Sequence, residues 1–187
     1  MTGVQTCALP ICTVSGWAVT SGSGIEIRNN LVGVASSGNN YVELDSNSNS
    51  SMAQSVTTTA GSFYTLVFDY APRIGQLAST NGISVFWNGV LQADYTADGT
   101  GQTQNNWVAQ LLSFAGTGGN GTGLNGEDVL SFLATGISDG LGGNIDNIVL
   151  TEDTTVKPPM NAVPLPTAAW LFASALGLFS FMRRSTV

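Results

Sequence analysis

The chain has 187 residues, room for one domain of ordinary size plus a short appendage, which argues against a two-domain enzyme. Twelve acidic against five basic side chains give a net charge of -7, and only Arg28 and Arg73 fall between Cys12 and Val156, so phosphate neutralisation has no footprint and no nucleic-acid partner is expected. Histidine is absent, which removes His triads, His zinc ligands and a His general base while leaving two-carboxylate glycosidase chemistry formally open.

Taken in chain order, residues 1–11 (Met-Thr-Gly-Val-Gln-Thr-Cys-Ala-Leu-Pro-Ile) resemble the translation of a sequencing-library adapter and are expected to lie outside the fold. Cys7 and Cys12 then carry no disulfide or redox inference. The expectation for residues 12–152 is a β domain that has lost its signal peptide and first strand. Within it, short apolar and polar alternations separated by Gly, Asn and Ser clusters predict strands over 17–20, 25–28, 41–44, 52–56, 63–70, 83–87, 90–95, 107–114, 129–134 and 145–151. That is enough for two sheets. In the clearest strand, Tyr64, Leu66, Phe68 and Tyr70 share one face, expected to be core, and Thr65, Val67 and Asp69 the other. Asn88-Gly89, between two such runs, predicts a two-residue type I′ hairpin, because both positions need positive φ.

The order Gly16-Trp17, Tyr41-Val-Glu-Leu-Asp45, Gly61-Ser-Phe-Tyr-Thr-Leu-Val-Phe-Asp-Tyr70, Val85-Phe-Trp-Asn-Gly89 and Ile145-Asp-Asn-Ile-Val-Leu150 resembles the galactose-binding-like jelly-roll domains of bacterial surface proteins and carbohydrate-binding modules. The resemblance spans residues 16–152. It implies an all-β jelly-roll sandwich and non-catalytic carbohydrate binding. It also implies a structural calcium at the closing Asp-Asn segment, with Asp146 as the candidate ligand; a turn or hydrogen-bonding role for Asp146 stands beside it.

Sugar binding in such a sandwich needs aromatic faces to stack on pyranose rings and planar polar groups to bridge hydroxyls. Arg73, Trp87, Trp107 and Tyr41 are the ligand-binding candidates, with Trp17 and Tyr95 also available. Aromatic residues in a small sandwich more often fill its core. Arg73 leaves the best strand in a loop, where binding residues concentrate; the alternative is a salt bridge to Asp69 or another of the surplus carboxylates. Asp45-Ser-Asn-Ser-Asn49 begins like an EF-hand loop but lacks its Gly and its closing Glu, so it is expected to be a polar loop. Gly116-Thr-Gly-Gly-Asn-Gly121 matches a phosphate-loop pattern with no helix after it and is expected to be a flexible loop. Glu43 with Asp45, and Glu127 with Asp128, are the carboxylates a glycosidase could use, though nothing in the sequence sets them in a cleft.

Residues 153–162 read as an extended, proline-bearing linker. From Pro166 to Met182 the chain is uncharged, and Arg183-Arg184 follows at once. At the helical rise this covers about 25 Å, enough for a short transmembrane helix whose far end the arginines hold in the cytoplasm. Val163-Pro164-Leu165-Pro166, the apolar helix and the paired arginines together resemble a PEP-CTERM sorting signal over residues 163–187, with Leu165 where the motif has Glu. That resemblance implies an exosortase partner, transient inner-membrane anchoring, and delivery to the cell surface or extracellular matrix of a Gram-negative bacterium. The reading of the whole is an exported surface or matrix protein that binds polysaccharide. A structural or adhesion protein binding proteins or itself is the alternative, and a glycoside hydrolase a minor one.

Overall fold

The computed structural model describes residues 5–7 and 16–154. The sorting signal, its helix over 166–182 and nearly all of the linker lie outside the described residues. In chain order the strands are β1 (Gln5–Cys7), β2 (Ala18–Ser21), β3 (Ile25–Arg28), β4 (Tyr41–Glu43), β5 (Ser51–Val56), β6 (Phe63–Ala71), β7 (Gly82–Trp87), β8 (Val90–Tyr95), β9 (Val108–Ala115), β10 (Asp128–Thr135) and β11 (Asn144–Asp153). They form two antiparallel sheets, ordered β1-β3-β4-β11-β6-β9 and β2-β5-β10-β7-β8. From β4 onward the chain changes sheet at every step except the β7–β8 hairpin, the wrapping of a jelly roll. Among the described residues no helix is long and apolar enough to cross a membrane.

Period-two patterning builds the core. Leu66, Phe68 and Tyr70 of β6 point inward from one sheet, and Ile83 and Val85 of β7 with Leu130 and Phe132 of β10 meet them from the other. Phe68 is the hinge of this packing, edge-on to Phe132 at 5.1 Å and to Tyr95 at 5.3 Å between ring centroids. Asn88 and Gly89 have φ of 51° and 76°, and Trp87 pairs with Val90 across them, as a type I′ hairpin requires. Each of the ten predicted segments is a strand, with ends that move by at most a residue or two.

Two features differ from expectation. Gln5–Cys7, expected outside the fold, pairs with β3 as the edge of a sheet. Edge pairing runs through main-chain N–H and C=O groups, so any extended segment that reaches an open edge can supply them. The loop after β9 is also more tied than a flexible connection would be. Buried Asp128 gathers the Thr58 hydroxyl, the Thr117 amide at 2.9 Å, the Thr117 hydroxyl at 2.7 Å and the Asn88 side-chain amide at 2.6 Å, clasping that loop to two others. A short 3₁₀ turn, Leu124–Gly126, closes the loop.

Candidate functional site

The outer face of the first sheet carries residues that strand patterning alone would leave in water. Ile25, Val42, Leu44, Ile145 and Tyr70 face the core, so alternation turns their neighbours outward. Cross-strand register then lays out one row of Glu26, Glu43, Asn144 and Ala71, with Arg28 opposite Tyr41 and Asp146 opposite Asp69 beside it. The segment 29–40, between β3 and β4, lies over this face.

Glu43 is the hub of the layer and is 0% exposed. Both its oxygens accept from Arg73 Nη1, at 2.5 and 2.7 Å; Arg28 Nε lies in ion-pair contact with it, and the Gly142 amide donates at 2.6 Å. Arg28 also reaches Glu26 at 2.5 Å. Burial pushes the Glu43 carboxyl above the usual carboxylate range, against the pull of Arg73 and Arg28. Two carboxylates thus neutralise both arginines of the described residues. Arg73, expected at a ligand, has the salt-bridge role instead, and its partner is Glu43 rather than Asp69.

Tyr41 and Trp107 hold the covering loop. The Tyr41 hydroxyl reaches the carbonyl oxygens of Leu31 at 2.6 Å and Val32 at 3.0 Å. These contacts pin Val32 at φ 60°, a conformation β-branched residues rarely adopt. Trp107 stands edge-on to Tyr41 at 5.6 Å, and its indole N–H donates to the Val34 carbonyl at 2.8 Å. Trp87 is on neither side of this site. It is 7% exposed, stacks on Phe114 at 4.8 Å and donates to the Ala115 carbonyl, so it offers no face to a sugar and is a core residue.

Asp146 sits at the bulge of β11, where the register shifts and Asn147 takes φ 51°. Its oxygens accept the amides of Ser37 at 2.9 Å and Asn147 at 2.7 Å. Opposite it, Asp69 accepts from the Ser36 hydroxyl at 2.6 Å and the Asn147 amide at 3.3 Å. This is the hydrogen-bonding role: N–H and O–H donors, not an open set of oxygens, surround the carboxylates. Among the described residues no three His, Cys, Asp or Glu side chains come together where they could hold a metal ion. A calcium at Asp146, as the resemblance implies, would have to compete with the Ser37 and Asn147 amides for its carboxylate oxygens.

An open cleft of about 350 Å³ lies where Trp17, just before β2, meets β3, β4 and β11 of the other sheet. Its wall is apolar: Trp17, Ile27, Val42, Ile145 and Ile148. Tyr41, Asn40, Asp146 and Asn147 complete the lining and supply its polar groups. The site therefore unites Tyr41 and Asp146 of the predicted residues, places Trp107 one ring away, and excludes Trp87. Asn40 and Asn147 escaped sequence reasoning, although Asn147 carries a signal: an Asp-Asn pair breaking an otherwise regular strand.

The acids a glycosidase could use are elsewhere. Glu43 and Asp45 are both 0% exposed, and Asp128 is 1% exposed under four donors. Asp45 accepts the Asp139 amide at 3.1 Å, and burial raises its carboxyl above the usual range. Among the described residues Asp146 is the one acid on the cleft lining.

No protein-family model matches the chain. Over 143 residues, 75% of the chain, it is 31% identical to a multifunctional-autoprocessing repeats-in-toxin of Vibrio vulnificus, of whose length the chain spans 2%. Among solved structures it resembles an arabinose-bound MgGH51 α-L-arabinofuranosidase, with a TM-score of 0.54 at 13% identity over 74% of this chain and 23% of that one. A CBM35 from Paenibacillus barcinonensis matches 74% of the chain and 94% of its own length at 19% identity, with a TM-score of 0.48. These likenesses concern the fold, a two-sheet β-sandwich.

Proposed function

We propose that the domain binds carbohydrate without catalysis, at the cleft between Trp17 and β3, β4 and β11. The observation that carries this reading is the composition of the cleft: an indole and four aliphatic side chains for the apolar face of a sugar, with two side-chain amides and a carboxylate to bridge hydroxyls. A single acid on the lining favours binding over hydrolysis, since glycoside cleavage in its usual form needs two carboxyls about 5 to 10 Å apart. The structure that the fold resembles at a TM-score of 0.54 is arabinose-bound, which supports a sugar as the ligand.

The test is glycan binding by the folded chain, with and without Asn40→Ala and Trp17→Ala. Asn40 is exposed, so its substitution leaves the fold alone. Trp17 also leans on Phe132 at 5.7 Å, so its variant is read together with thermal unfolding. We expect saturable binding that weakens about three- to tenfold in the first variant and more in the second, in line with losing one hydrogen bond or one stacking face. A folded domain that binds no glycan would move the reading to a matrix or adhesion role.

For the whole chain we propose export, recognition of Val163-Pro164-Leu165-Pro166 with Arg183-Arg184 by an exosortase, and release at the cell surface. Retention of an intact C-terminal peptide in cells with active exosortase would defeat that part alone.

A further inference from the structure

The two arginines of the described residues are held within the polar layer beside the cleft, with their charges matched by acids of that same layer. Arg28, with 5% of its side chain exposed, is shared between Glu26 and Glu43, and Arg73, with 14%, is bonded to both oxygens of Glu43. The cluster carries two positive and two negative charges and presents no net cation to the cleft it adjoins. The charge that does line the cleft is negative, on Asp146, and Asp69 lies directly across the sheet from it. Around this the whole chain carries a net charge of -7.

An anionic sugar entering here would lose water from its carboxylate, meet one acid at contact and find, among the described residues, no guanidinium or ammonium on the lining to replace its hydration. Recognition of carboxylate or phosphate calls for an unspent Arg or Lys, best as a bidentate fork. A neutral pyranose asks for none of this: its apolar face suits Trp17 and the isoleucines, and its hydroxyls can donate to Asp146 and exchange hydrogen bonds with Asn40 and Asn147. From this charge arrangement we infer that the cleft selects neutral glycans and rejects uronate-, sulfate- and phosphate-bearing ones. The inference rests on the carbohydrate-binding reading and narrows it to a ligand class. Within a matrix of mixed composition, the domain engages the uncharged polymers.

The test is a panel of immobilised oligosaccharides presented to the full chain. Neutral gluco-, xylo-, manno-, galacto- and arabino-oligosaccharides stand against oligogalacturonate and alginate oligosaccharides, each with calcium and with chelator. Every binder is expected to be neutral, with affinity changing less than about twofold when salt is raised past the range where exposed charges are screened. Asn40→Lys, a change at an exposed lining position, is expected to raise uronate binding by about tenfold or more from its baseline, the gain of one charge-assisted contact. Uronate binding by the unaltered chain, in either calcium condition, would overturn the inference and leave the carbohydrate-binding reading standing. Binding of nothing on the panel by a folded chain would remove that reading and this inference with it. Asn40→Lys that stays folded and binds neutral sugars as weakly as Asn40→Ala does, but gains no uronate, would overturn the claim that charge sets the selection.

Discussion

The interior between the sheets and the layer on the outer face of the first sheet are both shielded from water, but they are held by different physics. Between the sheets, Leu66, Phe68, Ile83, Leu130 and Phe132 are interchangeable in kind, and the packing asks only for apolar volume of about the right shape. On the outer face, Glu43 is buried to the same degree, yet it is held by two specific arginines, and Arg73 has no other acid beside it among the ion pairs of the described residues. Burial alone therefore does not say how tolerant a position is. Tolerance depends on whether the buried group is satisfied by many weak contacts or by a few charged ones.

The sharpest way to break this comparison sets the gentlest change in one region against a comparable change in the other. Glu43→Gln keeps the side-chain shape but leaves Arg28 and Arg73 without their shared countercharge. We expect it to cost about 3–5 kcal/mol, the usual penalty for removing one member of a buried ion pair. Phe68→Leu removes more atoms from an equally buried site, yet should cost less than about 1.5–2 kcal/mol because neighbours can repack around another apolar side chain. Urea unfolding of both variants checks the order. If Phe68→Leu proves the costlier, the polar layer is ornament on a fold the core alone determines.

Asp128 sharpens the comparison at a third buried point, where a carboxylate is satisfied by neutral donors instead of cations. Burial opposes its ionisation, but the bonds from Thr58, Thr117 and Asn88 outweigh that and hold its carboxyl below the usual range. A depressed native value means the unfolded chain binds the proton more readily. The stabilisation is then complete above the unfolded value near 3.8 and is lost as pH falls through the native one. We expect Asp128→Ala to cost about 2–3 kcal/mol at neutral pH and to flatten the decline in stability below about pH 4, read by thermal unfolding across pH. A variant that loses stability equally at every pH would show that the clasp acts through shape and not through charge.

The same contrast explains what could be read from the sequence. The core was legible because period two is a local property: Tyr64, Leu66, Phe68 and Tyr70 announce their common face within one strand. The hairpin at Asn88-Gly89 was legible for the same reason. The polar layer was not, because Glu43 meets Arg28 across one strand pair and Arg73 from a loop 30 residues further on, and no local pattern encodes that meeting. What the sequence did hold was scarcity, with Arg28 and Arg73 alone in the domain, and surplus acids to pair them. Trp87 was misassigned because aromatic residues at strand positions look alike from both sides of a sheet until the register is known. Tyr41 and Asp146 came together in the cleft because neighbouring strands carry them, a placement that topology decides.

The smallest expected effect lies at the far edge of the same sheet, where neither kind of burial operates. Leu111 of β9 is 69% exposed and lies in register with Val67, itself opposite Val149, which is 49% exposed, so an apolar row runs across the outer face away from the cleft. Among the described residues strand β9 pairs with β6 alone, and its eight residues, Val108–Ala115, carry no charge, which leaves an edge without the lysine or proline that usually blocks strand addition. Leu111→Lys should leave stability within about 0.5 kcal/mol, since the side chain is already in water, and should leave glycan binding untouched, since the cleft is built on β3, β4 and β11. What it should change is concentration-dependent self-association, measured by light scattering, which falls when a charge is set on an apolar edge. If the unaltered chain self-associates strongly, and Leu111→Lys abolishes both that association and surface attachment while sugars go on binding, then this edge and not the cleft carries the adhesive role, and the two sides of one sheet divide the work between them.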